Sequence, residues 1–340
     1  MQPTSAQAVQ FTAPREVRIA SAKLPAPGPG ELIVKTSFSG ISAGTELLAY
    51  RGELDPSTAL DETIDSLGGS FSYPFSYGYS AVGLVEHGTD AVPAGTPVFA
   101  FHPHQDRFVA AASDVVVLPE DVDLRLATMF PLVETALQLS VDAGGVLEET
   151  VVVLGLGAVG LLTALLLTRA GAKVIASEPR EWRRAIAVSL GLTAVPPEEL
   201  AETIGAHGVP LLVETSGAPV ALANGLALLA HEGTALVGSW YGTKPVSLPL
   251  GEHFHRRRLT IRSSQVSTIP AALQNRWDGD RRRVAARDLL AVLPLERLAT
   301  TEFPFEDAAE AYATIDRGEP GLLHAALRYP EPVEEPSSSA

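Results

Sequence analysis

At 340 residues the chain is long enough to bury two sizeable cores, and its hydrophobic fraction of 46% is that of an ordered, soluble protein. A formal net charge of −15 argues against nucleic acid or an anionic membrane surface as the main partner, because both select clustered Lys and Arg. Cysteine is absent, which removes disulfides, thiolate nucleophiles and every cysteine-based metal site together.

The first residues, Met1 to Arg18, show no basic start followed by an apolar core. No apolar run reaches the roughly 18 uninterrupted residues of a membrane span, so a cytoplasmic protein is the expectation. From Ala8 to about Leu118, short runs at Val17–Ala20, Glu31–Lys35, Ser80–Val85 and Thr96–Ala100 are separated by Pro and Gly and predict a small β-barrel-like domain. Between Arg51 and Tyr77 a long connection ends in Phe71, Tyr73, Phe75 and Tyr77, alternating with smaller residues. It reads either as the aromatic wall of a substrate pocket or as an edge ribbon packed on the barrel. His102 and His104 lack a third ligand beside them, so that segment reads as a surface loop, with His102 a candidate for the pocket rim.

From about Asp121 to Ala286 strands alternate with helices, the pattern of a parallel doubly wound sheet. Its opening unit is the most informative stretch of the chain. The apolar strand Val151–Leu154 breaks into Gly155-Leu156-Gly157-Ala158-Val159-Gly160 and restarts as the apolar helix Leu161–Leu167. Gly155 permits the tight turn, Gly157 lets backbone N–H groups approach a pyrophosphate, and Gly160 lets the helix pack closely on the strand. The helix N-terminus adds partial positive charge for the phosphates. A second strand, Ala172–Ser177, ends at Glu178, which lies 18 positions beyond Gly160 and near the spacing of the carboxylate that accepts hydrogen bonds from the adenosine ribose. Such a carboxylate favours NAD over NADP. Arg180 and Arg183 keep NADP open, since a guanidinium there suits a phosphate as well as an adenine face.

Further along, Leu211–Thr215 feeds a helix over Ala218–Ala230, and Thr234–Gly238 is the next strand. Arg256–Arg258 and Arg281–Arg283 read as solvated edges. A helix near Phe305–Tyr312 and a last strand at Ala325–Tyr329 return toward the first domain, and Pro330–Ala340, rich in Pro, Glu and Ser, is expected to be disordered.

This order, together with Gly40-Ile41-Ser42-Ala43-Gly44-Thr45-Glu46, Gly78-Tyr79-Ser80-Ala81-Val82-Gly83, Phe130-Pro131-Leu132 and Gly233–Gly238, resembles the medium-chain dehydrogenase/reductase superfamily over nearly the whole chain. Within it, Gly78–Gly83 and Ser263–Trp277 are similar to the branch containing bacteriochlorophyllide a dehydrogenase. The resemblance implies an α/β protein with a GroES-like catalytic domain over residues 1–121, a Rossmann cofactor domain over 122–286, and a return segment over 287–329 that completes the first domain. It also implies a homodimer. Ser216, Gly238, Ser239 and Trp240 then fall beside the cofactor, at the carboxyl ends of the strands.

Zinc-dependent members carry a cysteine and a histidine where this chain has Ser42 and Tyr79, and their third ligand falls near Phe130 or Pro131, neither of which can coordinate a metal. Hydroxyls and a phenyl ring hold zinc poorly, so the resemblance implies a zinc-independent enzyme with no metal site. Zinc's task of managing the proton on oxygen then passes to side chains. Thr45 looks like the family's relay hydroxyl. Tyr79 is a candidate proton donor, or else a ring packed at a domain junction. Glu134 is one helical turn past Phe130 and reads as an acid or base facing the nicotinamide, or as a helix N-terminal acid that only complements the dipole. Ser42, Glu46, Tyr77, His102 and Phe130 are candidates for the substrate pocket. The reading is an NAD(P)-dependent oxidoreductase that interconverts a secondary alcohol and a ketone on a bulky small-molecule substrate. An enone or quinone reductase and a non-catalytic dinucleotide-binding protein are the alternatives.

Overall fold

A computed structural model describes residues 5–298 and 300–330. The expected disordered tail lies outside the described residues, Pro330 apart. Two sheets organise the chain. The first has seven strands, ordered Thr300–Pro304, His324–Arg328, Glu31–Ile41, Ala81–His87, Pro97–Ala100 and Val115–Val117, with Arg107–Ala111 also paired to Glu31–Ile41. His324–Arg328 runs antiparallel to Glu31–Ile41, so the end of the chain is built into the sheet begun near its start. A hairpin of Ser5–Ala13 and Glu16–Lys23 covers this half, and Phe11 stacks on Phe75 at 5.1 Å.

The second sheet has six parallel strands in the order Thr193–Val195, Lys173–Ser177, Thr150–Leu154, Val209–Glu214, Leu229–Val237 and Thr260–Ser263. Val151 to Leu154 are buried on both faces, as a central parallel strand flanked by helices requires. Chain order reverses on either side of that strand, which places a topological switch point, and with it a crevice, above Leu154. Helix Phe130–Ala143 packs beside helix Ala158–Arg169, and helix Gly279–Leu290 packs on it in turn. Among the described residues no helix is long and apolar enough to cross a membrane.

Two local expectations need correction, and one open alternative is resolved. The helix foreseen over Ala218–Ala230 covers only Pro219–Gly225, followed by a short 3₁₀ turn, and the next strand begins at Leu229. Its end is set by packing: a Cβ on Gly225 would stand 2.7 Å from Leu212, and Leu226 and Leu229 are buried under the sheet. Arg282 is no solvated edge, because it is 5% exposed and bonded to side chains of helix Phe130–Ala143. The aromatic run Phe71–Tyr77 is the packed ribbon. Phe71, Phe75 and Tyr77 are buried, with Phe71 edge-on to both of the others at 5.6 and 5.1 Å.

Candidate active site

The crevice side is built mostly from backbone. Gly155 takes φ +91, and a Cβ there would lie 2.6 Å from Ser216 Cα; at Gly160 it would lie 2.0 Å from the Gly155 carbonyl oxygen. Neither site admits a side chain. Gly157 differs: it caps helix Ala158–Arg169, and a Cβ would meet nothing within 4 Å, so the helix N-terminus opens onto free space, with Leu156 behind it in the core and Val159 against the core's edge. A diphosphate fits that cradle. Glu178 is buried, and its Oε2 accepts from the Leu156 N–H at 2.9 Å while Oε1 accepts from the Arg180 N–H at 3.0 Å. The acid at the end of the second strand is thus tied to the glycine turn and oriented by it. Arg183 stands 3.7 Å from Glu178. Arg180 points elsewhere than expected: its guanidinium lies beside Gly318, at the C-terminus of helix Ala308–Arg317, where the helix dipole favours a cation.

At the neighbouring strand ends, Glu214 Oε1 accepts from the N–H groups of Ser216 and Gly217 and from the Ser216 hydroxyl. Gly217 N–H also donates to Ser239 Oγ. A Cβ on Gly238 would stand 2.8 Å from Leu139, so the strand end and helix Phe130–Ala143 are in close contact. Trp240 is 45% exposed, with its ring 6.0 Å from Phe71. Thr243 N–H donates to the Glu53 carbonyl, and Lys244 reaches the Glu53 carboxylate at 3.4 Å, so the loop carrying Trp240 is tied to the first half of the chain.

The other side is built from side chains. A small cavity of about 10 Å³, the size of one water, lies between Ser42, Tyr79, Thr128, Pro131 and His324. Burial pushes the Tyr79 phenol up to about 12; the Glu46 carboxylate adds to this, and hydrogen bonding to the Ser42 and Thr45 hydroxyls opposes it. Ser42, Thr45 and Tyr79 therefore come together. Tyr77 stands behind, edge-on to Tyr79 at 6.0 Å.

Several expected site residues lie elsewhere. Glu46 is fully buried: Oε1 accepts from the Ser42 N–H at 2.8 Å and Oε2 faces His104 Nε2 at 2.9 Å, so it lines no pocket. Phe130 is core, stacked on Phe99 at 4.3 Å. His102 stacks on Phe108 at 4.1 Å, and burial pulls its imidazole down to about 4. His104 is fully buried rather than on a surface loop. Glu134 accepts from Arg282 Nε at 3.0 Å, and Arg282 also donates to Gln138 Oε1 at 2.8 Å. Burial raises the Glu134 carboxyl and the guanidinium opposes the rise. A carboxyl group held in this way is a strut between two helices.

His324 was not foreseen. It is buried, its Nδ1 has no hydrogen-bond partner, and burial pulls it down to about 4, which keeps it neutral at pH 7. The one available signal was a lone histidine in the apolar run Leu322–Leu327.

Comparison with known proteins fits this geometry. The family model described as zinc-binding dehydrogenase matches residues 158–284. The 2-desacetyl-2-hydroxyethyl bacteriochlorophyllide A dehydrogenase of Cereibacter sphaeroides is 28% identical over 331 residues, covering 90% of this chain and 93% of the relative. The 5-exo-hydroxycamphor dehydrogenase of Pseudomonas putida is 32% identical over 188 residues, 51% of this chain and 49% of the relative. A solved alcohol dehydrogenase from Escherichia coli CFT073, complexed with NADH, superposes with a TM-score of 0.76 at 18% identity, covering 96% of this chain and all of the other, and so shares the fold. The residues matched by the family model lie in the crevice half and include neither Ser42, Tyr79 nor Phe130. At those three positions the donors are two hydroxyls and a phenyl ring, and among the described residues no group of three or more His, Cys, Asp or Glu is placed to hold a metal. This donor set does not fit zinc.

Proposed function

We propose that the chain, an NAD(P)-dependent oxidoreductase of the medium-chain dehydrogenase/reductase superfamily, interconverts a secondary alcohol and a ketone without zinc, with Tyr79 handling the proton. The observation that carries this reading is the cluster of Tyr79, Ser42 and Thr45 hydroxyls, of which Tyr79 and Ser42 line the small cavity and stand where zinc-dependent members carry metal ligands. When bound, the nicotinamide supplies the hydride donor or acceptor. The Gly157 cradle suits its diphosphate and Glu178 suits its ribose hydroxyls, which favours NAD.

The chain's own residues manage the oxygen. In reduction Tyr79 gives its phenolic proton to the carbonyl oxygen as charge develops there, and in oxidation it takes that proton back. Ser42 and Thr45 donate to the phenolate oxygen while the proton is away. Neutral His324 across the cavity adds no competing charge. Trp240 offers an exposed aromatic face at the crevice mouth, which suits a bulky apolar substrate. The names of two of the sequence relatives, for a hydroxyethyl bacteriochlorophyllide and a hydroxycamphor, support an alcohol on a ring-bearing skeleton. A homodimer and a cytoplasmic location belong to the same proposal.

The test is turnover of pooled aryl and alicyclic ketones with NADH, before and after chelation, on protein analysed for metals. Expected are substoichiometric zinc, an alcohol product, chelator-resistant turnover, and a loss on the order of 10²–10⁴-fold in Tyr79→Phe. One zinc per chain with chelator-sensitive turnover would overturn the zinc-free reading. A saturated ketone formed from an enone pool, with no alcohol, would replace it by double-bond reduction.

A further inference from the structure

The hydroxyls of Ser42, Thr45 and Tyr79 come from two segments more than thirty residues apart, so something must fix one against the other. Glu46 and His104 stand in position to do it. Both side chains are fully buried, and a carboxylate so placed must be paired and hydrogen-bonded. Glu46 binds the Ser42 N–H through Oε1 at 2.8 Å and His104 Nε2 through Oε2 at 2.9 Å, and the Tyr312 hydroxyl donates to the same Oε2. His104 Nδ1 is held by Ser39 Oγ at 2.7 Å, and Ser39 by the Tyr329 hydroxyl at 2.9 Å.

The imidazole also touches the second segment. Gly78 takes φ +111, and a Cβ there would lie 2.5 Å from His104 Cδ2, so the ring fills the space beside the backbone immediately before Tyr79. One carboxylate therefore holds the Ser42 end, and the ring it anchors bears on the Tyr79 end.

We propose that Glu46 and His104 form a buried clamp that sets the spacing of the Tyr79, Ser42 and Thr45 hydroxyls, making both of them positioning residues for proton transfer. The proposal rests on Tyr79 as the proton donor and adds what holds it in register. Loss of the clamp separates the hydroxyls and leaves the crevice half, with Gly157 and Glu178, unchanged. Turnover falls while cofactor affinity stays.

The experiment uses the full chain with 3-fluorotyrosine at position 79, alone and with Glu46→Gln, His104→Gln or Ser39→Ala. The fluorine resonance, the NADH dissociation constant and the turnover of the ketone pool are measured on each. Expected for Glu46→Gln and His104→Gln are a shifted or broadened resonance, turnover down about tenfold or more, and NADH affinity within about twofold of the parent. Ser39→Ala, which removes the hydrogen bonds to His104 Nδ1 and the Tyr329 hydroxyl but leaves the Glu46–His104 contact, gives the same changes in milder form and serves if the other variants do not fold. An unmoved resonance with turnover within about twofold in every variant that folds would overturn the clamp. If unlabelled Tyr79→Phe keeps full turnover while Glu46→Gln still lowers it, Tyr79 is not the donor and the clamp stands through Ser42 and Thr45.

Discussion

The crevice above strand Thr150–Leu154 and the hydroxyl cluster around Tyr79 are made in opposite ways. The crevice is three glycines, a helix end and one carboxylate, all within residues 155–178, and its shape is the shape of the backbone. The cluster draws Ser39, Ser42, Glu46, Tyr79, His104 and Tyr312 from across the chain, with His324, its Nδ1 unpartnered, across the cavity, and its shape is set by hydrogen bonds that side chains make. A backbone site tolerates most changes around it and none at Gly155 or Gly160. A side-chain network can lose one bond at a time, and each loss shows as misplacement before it shows as unfolding.

The sharpest way to break the contrast is at Gly160. Valine there puts a Cβ about 2 Å from the Gly155 carbonyl, and backbone cannot yield that distance without displacing the glycine turn. Fluorescence titration should show NADH affinity lower by more than about 100-fold, with the first sheet intact by hydrogen exchange. Near-normal NADH affinity in Gly160→Val would mean that the crevice is as plastic as the hydroxyl cluster.

Next is the buried Glu134–Arg282 pair, where sequence reading left open an acid or base at the nicotinamide and a helix N-terminal acid. Arg282→Met leaves Glu134 buried without its cation, and truncating one partner of a buried pair costs about 3–5 kcal/mol. Denaturant unfolding should show a loss of that order, while turnover per folded molecule survives. Pairing Arg282→Met with Glu134→Leu should recover most of it, since a well-packed apolar pair in that volume is often neutral. Turnover that collapses in Glu134→Gln without a comparable loss of stability would return the carboxylate to the chemistry.

Legibility followed the same division. The glycine turn, the alternation of strand and helix, and Glu178 could be read directly because each signal is local: a period, a spacing, a missing side chain. Tyr79, Ser42 and Thr45 were legible through resemblance, as substitutes for metal ligands. His104 was misread as part of a surface loop because Phe101–Gln105 is short and polar, and nothing local announces Ser39 and Glu46 as its partners. Phe130 and Glu46 were misplaced for a related reason: position near a site does not say which way a side chain points. Phe130 turns into the core against Phe99, and Glu46 turns away from the cavity toward His104 and Tyr312.

The smallest effect lies at Glu178 and tests whether the crevice is purely backbone. As an anion facing a ribose, Glu178 repels a 2′-phosphate, and its removal should narrow the preference for NADH over NADPH. The structure adds a second role, since the same carboxylate accepts from the Leu156 and Arg180 N–H groups and so braces the turn. Glu178→Ala loses both roles and Glu178→Gln loses only the charge. If charge alone sets the choice, both variants should reduce the NADH preference by about tenfold, chiefly through tighter NADPH binding. If bracing contributes, Glu178→Ala should also weaken NADH several-fold, whereas Glu178→Gln, whose amide oxygen still accepts from Leu156, should not. Dissociation constants for both cofactors with both variants separate the two roles, and a wild-type preference for NADPH would hand the choice to Arg183, which stands 3.7 Å from the carboxylate.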